Sequence, residues 1–175
     1  MGKTRMGTSF VTLKARGNAQ RCPLLKNKKC SIHKAKPSVC ALFPVGRYIS
    51  IPSGEYGKSG IEQSKVQYLL QPIDCGDNSK THTVRDWLSD FDIAAEDEAF
   101  VRWHQVVAEC GVILRELENH VSAFMMSMIW NVVFNVLYLT YKIEDAYMPQ
   151  FENNAATALG FLKKTEKEFG GKNVE

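Results

Sequence analysis

Residues 121–141, VSAFMMSMIWNVVFNVLYLTY, run for 21 positions without a charge. A stretch of that length and apolarity has two fates: a helix across a bilayer, or a helix inside a protein core. Ser127, Asn131 and Asn135 favour the second. At about 100° per residue they fall within about 80° of one another, a narrow polar stripe. Two asparagines near the middle of the run are costly against lipid. No Lys/Arg-rich flank sets an orientation, since Glu116, Glu118 and His120 precede the run and Lys142, Glu144 and Asp145 follow it. The expectation is the central helix of a helical layer with no membrane partner, or a helix buried between two copies in a homodimer through residues 121–141. Met125, Met126 and Met128 read as core filler.

The neighbouring segments are also helical. Thr83 and Asp86 form a loose capping box that opens a short helix through Trp87 and Leu88. Over 95–118, Phe100, Trp103, Val107, Cys110, Ile113 or Leu114, and Leu117 recur at steps of three and four, one buried face of a long helix. A last helix over about 150–168 carries Phe151, Ala155, Ala158 and Leu162 on one side and stops at Gly170-Gly171.

The first part of the chain has a different pattern. Residues 8–14, TSFVTLK, read as a short strand, and GNAQR as a turn leading to Cys22. Residues 46–51 and 65–71 read as two strands joined by a long Gly/Ser/Pro-rich loop, a β-hairpin. Such a hairpin brings residues near 45 close to residues near 73, and so makes Cys75 a neighbour of Cys40. Strands first and helices later argue for an α+β fold and against a parallel sheet. The expected organisation is a single domain over 1–175. Within it, a cysteine-bearing β portion spans 1–78 and a bundle of about four helices spans 79–169.

Charge is divided in the same way. Eleven Lys or Arg and no carboxylate precede Glu55; from Glu55 onward there are eleven basic and nineteen acidic residues. A basic segment over residues 1–54 can dock an acidic protein or a nucleic acid. It can also offset the negative charge of clustered thiolates. No aromatic residue alternates with the lysines of 22–36, as a base-stacking surface requires.

CPLLKNKKCSIHKAKPSVCALFP, residues 22–44, holds Cys22, Cys30 and Cys40 among prolines at 23, 37 and 44. No period runs through it, and the prolines oppose regular structure. A segment of this kind needs an external staple, and a metal is the usual one. No apolar run of signal-peptide length follows the basic start, and Met6 stands where a myristoylation signal wants Ser or Thr. Those features point to a cytoplasmic location, where clustered thiols serve as metal ligands more often than as disulfides. Cys22, Cys30, Cys40 and Cys75 make a full thiolate set for zinc, or for an iron–sulfur cluster. His33, three residues after Cys30, is the alternative fourth ligand. Cys110 lies on a helical apolar stripe and reads as core. His82, His104 and His120 read as structural, since spacing suggests no carboxylate or thiol partner for them.

The stretch CPLL…KKCSIHKAKPSVCALFPVGR resembles the second half of the YkgJ-like cysteine-cluster family, a zinc- or iron-chelating domain. The matching features are Cys22, Cys30 to His33, Lys36-Pro37, Cys40 and Phe43-Pro44. IDCGDN…THTVRDWL continues the likeness, with a Cys ahead of a Thr-Val-x-x-Trp-Leu helix start, and the helical tail is similar to that of longer bacterial members. The resemblance implies a metal-binding function and places Cys75 in the cysteine set. The chain departs from the family at three points. The CxxCxxCC cluster does not occur in it, and Lys36 and Ala41 stand where the family has Arg. The family's His/Tyr variation at the position of His33 implies that this histidine is not an essential ligand.

Enzymatic signals are weak. The sequence has no glycine-rich phosphate loop, no paired carboxylates at catalytic spacing and no nucleophile elbow.

Overall fold

The computed structural model describes residues 2–3, 9–10, 14–50, 65–72 and 79–171. Short antiparallel strand pairs come first and helices after them, an α+β arrangement. The chain divides into two compact units, Thr12–Gly54 with Ser59–Val101, and Met1–Val11 with Glu55–Lys58 and Arg102–Glu175.

The second of these units holds three long helices: α3 (Glu98–Glu118, its first residues in the other unit), α4 (Ala123–Tyr138) and α5 (Tyr147–Phe169). Their apolar faces meet in one core. Cys110, Ile113, Leu114 and Leu117 from α3 are buried, as the stripe predicts, and Val106 is buried where the sequence pattern selects Val107. Phe151, Ala155, Ala158 and Leu162 of α5 all have no exposed surface. Pro149 falls in the first turn of α5, where its missing N–H has no intrahelical partner to lose, so the helix starts earlier than position 150.

Helix α4 buries Met126, Ile129, Trp130, Val133 and Leu137 and turns Ser127, Asn131 and Asn135 outward. With 16 residues it rises about 24 Å, short of the roughly 30 Å hydrocarbon core of a bilayer. No helix among the described residues is long and apolar enough to cross a membrane. Ser122 caps its start, accepting from the Met125 N–H at 3.2 Å.

In this unit, strand β1 (Gly2–Lys3) also pairs with β2 (Ser9–Phe10), inside the expected 8–14 strand, of which residues 11–13 lie outside the described residues.

The other unit is built on a hairpin. Strands β5 (Val45–Ser50) and β6 (Lys65–Leu70) pair antiparallel from Val45↔Leu70 to Ser50↔Lys65. The long loop between them lies outside the described residues. Ahead of the hairpin come β3 (Leu25–Lys26), β4 (Lys29–Cys30), a 3-10 turn at His33–Ala35 and α1 (Ser38–Leu42). Segment 22–44 is therefore not free of regular structure. Pro37 precedes α1 at its cap, where φ suits proline and no helical hydrogen bond is lost, and so does not break it.

Helix α2 (Val84–Ser89) starts at the expected capping box. Thr83 Oγ1 accepts from the Asp86 N–H, and the Asp86 carboxylate accepts from the Thr83 N–H. Although helical, this stretch belongs to the hairpin unit. Trp87 Nε1–H donates to the Leu42 carbonyl at 3.0 Å, and Tyr68 Oη donates to the Ala95 carbonyl at 2.8 Å. Arg47, its side chain 4% exposed, pairs with Asp97 at 3.0 Å and lies 3.7 Å from the Phe100 ring centre. These ties hold 84–100 to the strands, so the compact boundary falls in the first turn of α3 and not where helices begin.

Candidate functional site

Cys22 follows a tight turn. Arg16 and Arg21 exchange both backbone hydrogen bonds, Arg16 N to Arg21 O at 2.7 Å and Arg21 N to Arg16 O at 3.0 Å. The intervening loop uses two left-handed residues, Gly17 at φ 66 and Gln20 at φ 48, of which glycine adopts that conformation without strain. The Cys22 carbonyl then accepts from the Leu25 N–H at 3.2 Å and starts the β3–β4 hairpin. Cys30 closes that hairpin opposite Leu25. Cys40 sits in the middle of α1.

Cys22 and Cys40 are exposed and Cys30 is half-buried; none of the three is in a disulfide. In donor chemistry they fit a soft metal: three free thiols reachable from solvent. In position they do not form a closed set. Among the described residues, no three His, Cys, Asp or Glu side chains gather as a metal ion needs. Cys75, the expected fourth ligand, lies outside the described residues.

His33 packs beside α2. Its ring meets Phe91 edge-on at 6.5 Å, and Lys36 Nζ lies 5.4 Å from the centre of the same ring. His33 thus lines a cleft of about 340 Å³ with Lys34, Asp90 and Asp92.

The remaining thiol behaves differently. Cys110 is buried in the helical core, and burial pushes its pKa up to about 12, with Glu109 adding to the shift. It is protonated at neutral pH and makes a poor ligand or nucleophile.

In the unit carrying Cys22, Cys30 and Cys40, few of the described residues are buried. Of its described residues only Ala41, Leu42 and Leu88 are buried, while Leu25, Val39, Phe43, Tyr48, Leu69 and Leu70 remain exposed.

Two features escaped the sequence pattern. The Arg47–Asp97 pair joins residues 50 positions apart and has no local signal. His120 Nε2 lies 3.0 Å from Glu116 Oε1, a carboxylate partner that the i,i+4 spacing could have revealed.

No family model, curated protein or solved structure matches the chain.

Proposed function

We propose that this is a metal-binding protein in which Cys22, Cys30, Cys40 and Cys75 supply thiolates to one zinc or iron centre. The carrying observation is the coincidence, in one unit, of free thiols open to solvent and few buried side chains among the described residues. Small units of that kind gain their folding energy from a staple, and ligation of thiolates couples directly to folding. Binding would draw together donors that the described residues leave apart. The lysines and arginines before Glu55 offset the negative charge of a thiolate site. His33, held against Phe91, is the secondary candidate. Zinc would supply structural closure, and an iron–sulfur cluster would supply electron transfer. Membership of the YkgJ-like family is part of the same proposal, supported by the motif from Cys22 to Pro44.

Elemental analysis and visible absorbance of the full chain, purified without oxygen, test the proposal. One zinc per colourless chain supports a structural site. Iron with a band at about 400 nm supports a cluster. Preparations with no stoichiometric metal would overturn the reading.

A further inference from the structure

Two successive hairpins place like charges opposite each other. Arg16 faces Arg21 as a hydrogen-bonded pair, and Lys26 faces Lys29 across β3–β4. Residues paired directly across two strands have Cα atoms about 5.5 Å apart or less, with side chains on the same face, and like charges there are destabilising. No carboxylate in the sequence precedes Glu55. The four ion pairs among the described residues lie elsewhere, at Arg47–Asp97, Arg102–Glu152, His120–Glu116 and Lys163–Glu109.

Lys28 makes the arrangement more specific. The β3–β4 turn consists of Asn27 at φ 49 and Lys28 at φ 62. Two left-handed residues define a type I′ turn, in which Asn-Gly is the favoured pair. Lysine at the second position carries a steric cost that glycine would not. The chain therefore holds an ammonium group at a place where its backbone favours glycine. Arg16, Arg21 and Lys28 converge on one open cleft of about 450 Å³, with Cys22, Leu25 and Asn27 also on its wall.

We infer that this cleft binds the phosphate groups of a phosphate-bearing polyanion. Guanidinium pairs match phosphate oxygens bidentately, and a phosphate bound in the cleft relieves the repulsion between Arg16 and Arg21, the cross-strand pair on its wall. Among the described residues no aromatic side chain lines the cleft, so recognition runs through phosphates and not through stacked bases. The inference goes beyond the metal reading and stands without it.

The test is fluorescence anisotropy of the full chain with a labelled 20-base-pair DNA duplex, with inorganic tripolyphosphate and polyglutamate as competitors. Saturable binding at about 50 mM salt that weakens steeply as salt rises is expected. Displacement by tripolyphosphate identifies free phosphates as sufficient, whereas resistance to it identifies the nucleic-acid backbone as the source; both support the inference. Arg16→Gln with Arg21→Gln should weaken binding about tenfold and lower the salt slope by about 0.9 for each phosphate no longer neutralised. Lys28→Gly should weaken binding about threefold while leaving the unfolding midpoint unchanged or raised, because glycine removes the backbone strain. A merely structural lysine would give no such split. The inference falls if wild type does not bind at low salt, if polyglutamate competes as well as DNA charge for charge, or if Lys28→Gly binds like wild type.

Discussion

Val45 lies directly opposite Leu70, and the Gln71 N–H extends the ladder by donating to the Pro44 carbonyl at 3.0 Å. Cys40 is five residues before Val45 in sequence, and Cys75 five residues after Leu70. The hairpin thus starts both thiol-bearing segments from one registered pair. The proposed metal, if shared by these thiols, would close the segment across an already formed hairpin, with little further chain entropy to lose. Cys40→Ser and Cys75→Ser are each expected to lose most of the bound metal, and Cys110→Ala to retain it, by elemental analysis of folded protein. Equal loss in all three would show that metal content follows general integrity and not ligation.

Thiol reactivity separates the same two classes without any metal present. Cys22 and Cys40 are exposed and Cys30 is half-buried, whereas Cys110 is enclosed and its thiol is pushed up to about 12. Only the thiolate attacks an alkylating reagent. In chelator-treated native protein at pH 7.5, iodoacetamide should label Cys22 and Cys40 first. Cys110 should remain unlabelled until denaturant is added, as read by peptide mass spectrometry. Early labelling of Cys110 would mean that the helical core opens readily.

The two units should also respond oppositely to loss of apolar side chains. Phe151 has no exposed surface and packs against Trp103 and Tyr147 at ring separations of 5.6 and 5.7 Å. Phe151→Ala is expected to cost about 3–5 kcal/mol in urea unfolding. Val39, at 75% exposed, buries too little for Val39→Ala to cost more than about 0.5 kcal/mol. A large penalty at Val39 would reveal burial by a bound partner or a second copy.

The contrast between units explains how far the sequence was readable. Helices α3 to α5 advertise themselves because their burial is periodic. Cys110, Leu117, Phe151 and Leu162 follow from spacing alone, and the error between Val106 and Val107 is one position within a stripe. Strands β5 and β6 were legible from their β-rich runs. The β3–β4 hairpin was not, because Lys28 occupies the turn position where glycine would have signalled it. Arg47 and Asp97 lie 50 residues apart, so no local pattern connects them. Metal ligation is hardest of all to read. The proposed ligands share chemistry and not periodicity, so the spacing of Cys22, Cys30 and Cys40 alone did not define a site.

Helices α3 and α5 are linked at their surface by Arg102 and Glu152, paired at 2.7 and 3.0 Å in a bidentate fork. The guanidinium hydrogen bond holds the Glu152 carboxyl below its ordinary value of 4.5, outweighing the upward push of burial. A carboxylate lowered on folding adds stability that is fully present above its ordinary pKa. That stability is lost as pH falls through the lowered, folded-state value. Both side chains are more than a third exposed, at 37% and 44%, so solvent screens the pair. Glu152→Gln is therefore expected to cost no more than about 1 kcal/mol at pH 7. The difference between variant and wild type should shrink as the pH is lowered below the ordinary glutamate range, and it should also shrink in high salt. Thermal unfolding of both proteins across pH and salt measures this. A penalty that persists unchanged in strong acid would assign the role of Glu152 to packing and not to its charge.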